Sequence, residues 1–295
     1  MKKSFISQGL PFFRGNMHMH TTASDGALSR VEALKLYRDN GYDFVALTDH
    51  WKPGEESYYE NMLVLSGVEL DRDLDGQVAH IVGVGIEPEK LRVRRGMQPQ
   101  EMIDAICAAS GRAILAHPAW SLNTPEFVCS LRNLSAVEVF NTFSGEPWNS
   151  ERADSSNVLD LCACAGRLAP FVASDDSHRY EGEACRAYTM VQARALDRAG
   201  ILQALDEGAF YASQGPGFFQ IELDGDALIV RTSPVERITF YSNLPWVHGR
   251  CRNGHDLTES VYTIARDKGE SYVRCVLTDR FGRRAWSNPI DLTQA

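Results

Sequence analysis

No apolar run in this sequence approaches the ~18 residues that a membrane span requires. The N-terminal stretch, residues 1–9, is basic but lacks the roughly 7–15-residue apolar core of a signal peptide. The sequence also contains no internal repeat, low-complexity tract or disordered linker. These absences argue against a membrane-spanning, secreted or fibrous protein, and they predict a cytoplasmic globular one.

Positive charge is in short supply, since 30 lysines and arginines stand against 39 aspartates and glutamates. The resulting net charge of −9 argues against binding to a nucleic-acid duplex, which depends on a basic surface. A small anionic substrate is still compatible with this charge, because bound divalent cations can invert the local field. We therefore expect a small-molecule partner, no nucleic-acid duplex and no membrane, while the oligomeric state is left open.

The seven cysteines are odd in number, and most of them lie within apolar runs. Cys162 and Cys164 fall in a stretch with helical character, where side chains at i and i+2 face apart. We therefore predict buried free thiols in a reducing compartment rather than a disulfide scaffold.

The length of 295 residues exceeds the ~100–200 residues usual for one domain. In residues 1–216, short apolar runs alternate with helical stretches, which is typical of βα units and a largely parallel sheet. About seven such strands fit a barrel. Helices are predicted, among others, over 55–62 and over about 150–165.

From residue 217 onward the pattern changes to short strand-like runs separated by turn residues, without a convincing helix. In one of these runs Val273, Cys275 and Leu277 share a face, which suits a half-buried antiparallel strand. We predict an α/β fold in which a hydrolase barrel over residues 1–216 is followed by a small all-β sandwich over residues 217–295.

The stretch over residues 16–26 carries the first chemical signal. In a β-strand, side chains at i and i+2 point to the same face, so His18 and His20 can reach one metal ion together. Asp25 lies five residues beyond the second histidine. For this pair alone, a polar strand face is an equally good interpretation.

Six of the eight histidines lie before residue 180, and each follows or ends an apolar run. They are His18, His20, His50, His80, His117 and His178. The other two, His248 and His255, fall in the later β-rich region. Polar residues at the ends of successive strands are where barrel and other α/β enzymes build their sites.

Two metals with a shared oxygen need a bridging carboxylate and neutral imidazoles, since mixed ligands hold Zn, Mn or Fe at close spacing. Glu69, at the predicted end of a strand, has the position of such a bridge, and Asp176 and His178 repeat the i, i+2 spacing. Taken singly, Glu69 is equally a surface glutamate, and His80 or His117 a core histidine. Their joint occurrence predicts a multi-metal hydrolase site.

The order of these motifs resembles the polymerase and histidinol phosphatase (PHP) family over about residues 14–213. The motifs are His18-x-His20 with Asp25, Thr48-Asp49-His50, Gly67-x-Glu69, His80, His117-Pro118 and Ser174-Asp175-Asp176-Ser177-His178. The resemblance implies a distorted (β/α)7 barrel, similar to a TIM barrel, with metal ions at the C-terminal ends of its strands. The tail, residues 286–290, looks like the accessory β domain of some stand-alone members.

Carried over motif by motif, the resemblance implies two or three divalent metal ions, either zinc, manganese or iron. The first would be held by His18, His20, Glu69 and Asp176, the second by Glu69, His80 and His117, and the third by Asp25, His50 and His178. Asp25 stands where some relatives carry histidine, a departure that would retune the third site.

The resemblance favours hydrolysis of a small phosphate mono- or diester. A hydroxide held between the first two metals would attack phosphorus in line, and the metals would neutralise charge on the phosphate oxygens. Glu69, Asp176 and His178 are the candidate catalytic residues, with Asp176 or His178 relaying the proton.

Phosphate in proteins often also meets an arginine fork. Arg179, directly after His178, and Arg152 are therefore candidate substrate ligands, and Asn141 at a strand end is a third. A solvent-exposed surface position is the alternative for each of them. Asp49 is predicted to orient its neighbour His50.

Two other functions are compatible with these motifs. Hydrolysis of a carbamate, ester or amide would use nearly the same metal chemistry in a more apolar pocket, and aromatic residues such as Trp120 and Phe143 near the predicted ligands favour it. A non-catalytic binding module, in which the β domain recognises a partner, is disfavoured by the complete ligand set. The acidic chain disfavours a polymerase-associated exonuclease.

Overall fold

The computed structural model describes residues 2–7 and 9–293. Its strands are β1 (Lys2–Ile6), β2 (Phe12–Asn16), β3 (Phe44–Leu47), β4 (Ser57–Tyr59), β5 (Met62–Leu74), β6 (Gln77–Val84), β7 (Arg112–Leu115), β8 (Leu134–Asn141), β9 (Phe171–Ser174), β10 (Tyr188–Gln192), β11 (Phe210–Ser213), β12 (Phe218–Asp224), β13 (Ala227–Ser242), β14 (Cys251–Thr263), β15 (Tyr272–Thr278), β16 (Arg284–Trp286) and β17 (Ile290–Asp291). Its α-helices are α1 (Arg30–Asp39), α2 (Pro99–Ala108), α3 (Pro125–Ser130), α4 (Ser156–Cys164) and α5 (Arg198–Glu207).

The fold is a mixed α/β arrangement in which a large sheet is accompanied by few helices. Parallel pairs join β2 to β3, β3 to β5, β7 to β8 and β8 to β9. Antiparallel pairs join β5 to β6, β6 to β7 and β2 to β10. The prediction of a largely parallel sheet is therefore wrong for the middle of this region, and the seven-stranded barrel stays a prediction.

The antiparallel interruption arises because β5 runs past Glu69. It continues to Leu74 and returns as β6 through the tight turn at Asp75 and Gly76, where Gly76 has a φ of 72° that favours glycine. The prediction that this strand ends at Glu69 is therefore wrong, and Glu69 lies in the middle of a paired strand.

The helix predicted over 55–62 is also wrong, since Ser57–Tyr59 form β4 and pair with β5. Tyrosines favour strands, and here this preference prevails over the weak helical pattern. The helix predicted over 150–165 begins only at Ser156. Helix α1 begins with a capping box formed by Ser29 and Glu32, and at the start of α2 the backbone N–H of Gln98 donates to Glu101 Oε2 at 2.7 Å.

The side chains of alternate strand residues pack in two different apolar cores. Ala113 and Leu115 of β7 pack in one core with helix α2, whereas Ile114 packs in the other with helix α5. Among the described residues, no helix is both long and apolar enough to cross a membrane.

The strands after residue 217 form antiparallel pairs, and the apolar core that they surround also contains Ile6 and Tyr211. Strand β1 joins them, since Lys2–Ile6 pairs antiparallel with β12. The β-sandwich and the boundary between residues 216 and 217 stay predictions. Strand β1 precedes that boundary in the sequence but pairs with a strand that follows it.

A buried ion pair connects helix α4 to strand β15. The Arg274 side chain is 1% exposed, and its Nε and Nη2 lie 2.7 and 2.6 Å from the two carboxylate oxygens of Asp160. The rings of Tyr241 and Phe171 lie 4.2 and 5.7 Å from the same guanidinium. Among the described residues, the carboxylate of Asp160 is the one that compensates the charge of Arg274.

Replacing Asp160 by alanine is expected to lower the free energy of unfolding by about 3–5 kcal/mol, because it leaves a buried guanidinium without its partner. Urea denaturation followed by circular dichroism measures this loss. Asp39→Ala, which removes the exposed Lys35–Asp39 pair, is the matched control and is expected to change little. Equal stability of the two variants would contradict the prediction.

Candidate metal centre

The backbone at the first two histidines is extended but lies outside the regular ladder. Strand β2 ends at Asn16, so the prediction that His18 and His20 lie within a strand is wrong in detail. Met19 between them is fully buried, and its single bridge to Ser177 and its bond to Thr48 keep the chain extended. The two imidazoles therefore still point to one side, with ring centroids 5.3 Å apart.

Other site residues come from five further segments of the sheet region. His50 follows β3, Glu69 lies in β5 and His80 in β6, while His117 follows β7 and Asp176 follows β9. His117 and Asp176 have positive φ values of 29° and 55°, which are uncommon for residues other than glycine. Such strained backbone persists where surrounding structure imposes it, commonly at functional sites.

The structure brings all nine predicted ligands together in three overlapping groups, within each of which the donor atoms lie within 4.8 Å of one another. The groups are His18, His20, Glu69 and Asp176; Glu69, His80 and His117; and His20, Asp25, His50 and His178. Glu69 belongs to the first two groups, and His20 to the first and third. This is the arrangement that a cluster of closely spaced cations requires.

In five of the six histidines Nε2 lies 3.0–3.7 Å from a ligand carboxylate. In two of these five, Nδ1 also lies 3.5 Å from a ligand carboxylate, that of Asp25 for His20 and that of Asp176 for His178. The outer Nδ1 atoms lie near Glu138 (2.9 Å from His18), Ser24 (3.4 Å from His20), Asp71 (3.4 Å from His50), Ser121 (2.9 Å from His117) and the carbonyl oxygen of Asp176 (2.8 Å from His178). His80 differs, because its Nδ1 lies 2.8 Å from Glu69 Oε1. Outer partners of this kind hold metal-binding imidazoles in one orientation.

Several atoms of the first group are buried without a hydrogen bond. Asp176 Oδ1 lies 3.1 Å from Nε2 of both His18 and His20, yet none of these three atoms has a partner with hydrogen-bond geometry among the described residues. Buried polar atoms without partners are costly, so an ion at their common focus would satisfy them. The mixed nitrogen and oxygen donors fit a divalent transition metal.

The charges of the group act strongly on one another. Burial alone would lower the pKa of His18, but Asp176 and Glu69 outweigh it and raise that pKa well above its usual value. Burial opposes the charged form of Glu69 as well, and His18 and His80 hold its pKa well below the usual range. Asp176 and Asp25 overcome burial at His178 and raise its pKa to about 9. The cluster therefore favours bound positive charge.

A cavity of about 180 Å³ opens onto these groups. It is lined by Asp25, His50, Glu69, His80, His117, Trp120, Phe143, Ser144, Asp176 and His178. Phe143 stacks on the His178 ring at 4.3 Å, and Trp120 meets the His117 ring edge-on at 4.9 Å. The cavity therefore has one wall of ligands and another of aromatic rings.

The predicted substrate ligands do not line this cavity. Arg152 and Arg179 are exposed, and the Arg179 guanidinium lies 5.6 Å from the Trp148 ring. Asn141 is fully buried and donates to Glu138 and Asp176. Substrate binding by these three residues stays a prediction.

Asp49 has a different role from the predicted one. Its carboxylate accepts hydrogen bonds from the backbone and hydroxyl groups of Thr21 and Ser24, and so holds the loop that leads to Asp25. Nδ1 of His50 instead faces Asp71, which pairs with His80 across the β5–β6 hairpin. The adjacency of Asp49 and His50 in the sequence misleads, because neighbouring side chains in extended backbone point to opposite sides.

Glu138 is the site residue that sequence reasoning missed. Its side chain is 1% exposed and lies 2.9 Å from Nδ1 of His18. A signal was available, since a lone carboxylate stands within the apolar run Ala136–Phe140, and a buried charge requires partners.

No family model matches the chain. A structure from Bacteroides vulgatus, described as a two-domain protein containing a predicted PHP-like metal-dependent phosphoesterase, is 16% identical, with 93% of this chain and 92% of that one covered and a TM-score of 0.56. A candidate metal-dependent phosphoesterase from Bifidobacterium adolescentis is 14% identical over 58% of this chain and 89% of its own, with a TM-score of 0.42.

One curated relative also matches, the DNA polymerase/3'-5' exonuclease PolX of Bacillus subtilis. It is 30% identical over 130 residues, which is 42% of this chain. The match covers 21% of that protein, so this chain is similar to about a fifth of its length. The resemblance predicted from the motifs is confirmed at the level of the fold, and the chain has the fold of the PHP-like proteins.

Proposed function

We propose that this protein is a metal-dependent hydrolase and that its substrate is a small phosphate mono- or diester. The observation that carries the proposal is the convergence of three histidine and carboxylate groups on one small cavity. The structural likeness to a protein described as a PHP-like metal-dependent phosphoesterase supports it.

The charge of the centre favours an anionic substrate. Its ligands are six histidines and three carboxylates, namely Asp25, Glu69 and Asp176. Three divalent ions would bring six positive charges against three negative ones, which leaves a net charge of +3. A phosphate can therefore be neutralised without a lysine or arginine in the cavity wall.

Bound divalent metals would supply Lewis acidity and a water molecule of lowered pKa. The chain itself would bind these ions with Glu69 at the junction of two groups, and its aromatic wall would limit access of bulk water. We assign proton handling to Asp176 and His178, which both face the cavity. The Nδ1 of His178 contacts the carbonyl oxygen of Asp176, an arrangement that directs Nε2 to the cavity.

One arginine side chain, in a basic segment of the chain, stands just outside the ligand groups. Lys90, Arg92, Arg94 and Arg95 are concentrated within six residues of this acidic chain. Arg95 lies 4.5 Å from the Trp51 ring and 3.1 Å from the Asp71 carboxylate, which in turn faces His50. This basic segment would attract a negatively charged substrate to the centre.

Hydrolysis of a carbamate, ester or amide is the second candidate function. The cavity wall contains no lysine or arginine among the described residues, and Trp120 and Phe143 make part of it apolar. A neutral substrate with an apolar group would fit such a wall. The two functions therefore differ in the charge of the substrate.

The proposal is tested by turnover of the metal-loaded protein on an aryl phosphate, an aryl carbamate and an aryl ester with the same leaving group. We expect phosphate release that falls at least 100-fold in His18→Ala, since loss of a ligand exceeds the 10–100-fold cost of losing an outer partner. His255→Ala, which changes a histidine with a 93% exposed side chain, should retain turnover.

Turnover of the carbamate or ester alone would replace the phosphoesterase proposal by the second candidate. Full metal occupancy without turnover of any of the three substrates would contradict both and favour a binding module.

A further inference from the structure

We infer that Glu138 is a positioning residue of the metal centre, which fixes the proton of His18 on Nδ1 and links the first ligand group to the second. The inference rests on the metal centre proposed above and deepens it. Glu138 itself belongs to none of the three ligand groups.

Glu138 lies in strand β8 between the fully buried residues Val137 and Val139. Its own side chain is 1% exposed, so solvent cannot satisfy the carboxylate. Both oxygens instead have partners within the protein. Oε1 lies 2.9 Å from Nδ1 of His18, and Oε2 accepts the backbone N–H of His117 at 2.9 Å and the amide of Asn141 at 2.7 Å.

The two partners of Oε2 can only donate. The His117 partner is a backbone N–H, and the orientation of the Asn141 amide is set by Ser144, whose backbone N–H and hydroxyl both donate to Asn141 Oδ1. Nδ2 of Asn141 must therefore face Glu138. An acceptor is required at the position of Oε2 whatever residue stands at 138.

The other oxygen of Glu138, Oε1, fixes the position of the proton on His18. A carboxylate only accepts, so Oε1 holds the His18 proton on Nδ1 and leaves the Nε2 lone pair free for a metal ion. In Glu138→Gln the amide oxygen must occupy the Oε2 position, which turns the amide N–H₂ towards Nδ1. A neutral His18 would then carry its proton on Nε2, where it blocks a metal.

Glu138 also differs from the other outer partners of the histidines. His20 and His117 have serine hydroxyls and His178 a carbonyl oxygen. The carboxylates of Asp25 and Asp71, near Nδ1 of His20 and His50, are 52% and 31% exposed. Glu138 is thus a buried charge, and its three contacts reach ligands of two groups. Through Asn141, which donates to Asp176 Oδ2 at 3.2 Å, it also orients a carboxylate of the first group.

The experiment compares the wild-type protein, Glu138→Gln and Asp71→Asn before and after loading with zinc. Zinc affinity is measured by competition with a chelator. The protonated nitrogen of neutral His18 is identified in the metal-free proteins by ¹H–¹⁵N NMR, with His18→Gln for assignment. In E138Q we expect the tightest zinc affinity to fall roughly 10–100-fold and the Nδ1 proton of His18 to disappear. D71N, which makes the same change near His50, should keep that proton.

Equal zinc affinity and an unchanged His18 proton in E138Q would overturn the inference and leave the proposed function standing. A wild-type protein that binds no zinc, manganese or iron would overturn both. Should E138Q fail to fold, as judged by its thermal melt, the neutral His18 of the metal-free wild type decides. A His18 proton on Nδ1 then supports the inference, and one on Nε2 overturns it.

Discussion

Replacing Glu69 by glutamine is expected to abolish turnover and to remove at least one bound metal ion per chain. Oε2 of Glu69 lies 3.2 Å from Nε2 of His18, 3.0 Å from that of His20 and 3.3 Å from that of His50. Its other oxygen lies 2.8 Å from His80 Nδ1. An amide has the same shape but lacks the charge and one acceptor, so it cannot bridge two cations.

The loss should exceed the 10–100-fold effect of an outer partner, because Glu69 belongs to two ligand groups. Elemental analysis of the purified protein gives the metal content, and steady-state kinetics give the turnover. Glu222→Gln is the matched control. Glu222 is also buried, but it lies in strand β12, outside the ligand groups, and pairs with Lys2 of strand β1. Full metal content in E69Q would contradict a bridging role.

Removing the metals with a chelator is expected to abolish turnover and to lower the melting temperature. An ion present at 100 times its Kd stabilises the folded chain by about 2.7 kcal/mol, and 1 kcal/mol corresponds to about 2–4 °C in a protein of 150–250 residues. Loss of one ion should therefore lower the melting temperature on the order of 5 °C, and loss of further ions should lower it more.

Differential scanning calorimetry before and after dialysis against the chelator measures the shift, and re-addition of zinc, manganese or iron should reverse it. The variant His18→Ala supplies the control, since its melting temperature should respond less to the chelator. Unchanged turnover and an unchanged melt after complete removal of metal would contradict the metal centre.

Much of the candidate site was predictable from sequence because its residues terminate apolar runs. All nine predicted ligands meet in the structure, although the predicted local structure is wrong around His18, His20 and Glu69. The spacing argument tolerates such errors, because side chains alternate in any extended backbone. Substrate binding by Arg152 and Arg179 was predicted without a residue pattern of this kind. Neither arginine lines the cavity.

The types of residue that converge, and their order in the chain, could be predicted from sequence, since hydrophobic periodicity and local caps depend on neighbouring residues. Three features became visible in the folded chain alone: β5 returns as an antiparallel hairpin, β1 pairs with β12, and Asp71 rather than Asp49 faces His50. The fold also places Glu138 against His18, 120 positions away in the chain. Such contacts are set by packing between distant segments, for which a single sequence carries no local signal.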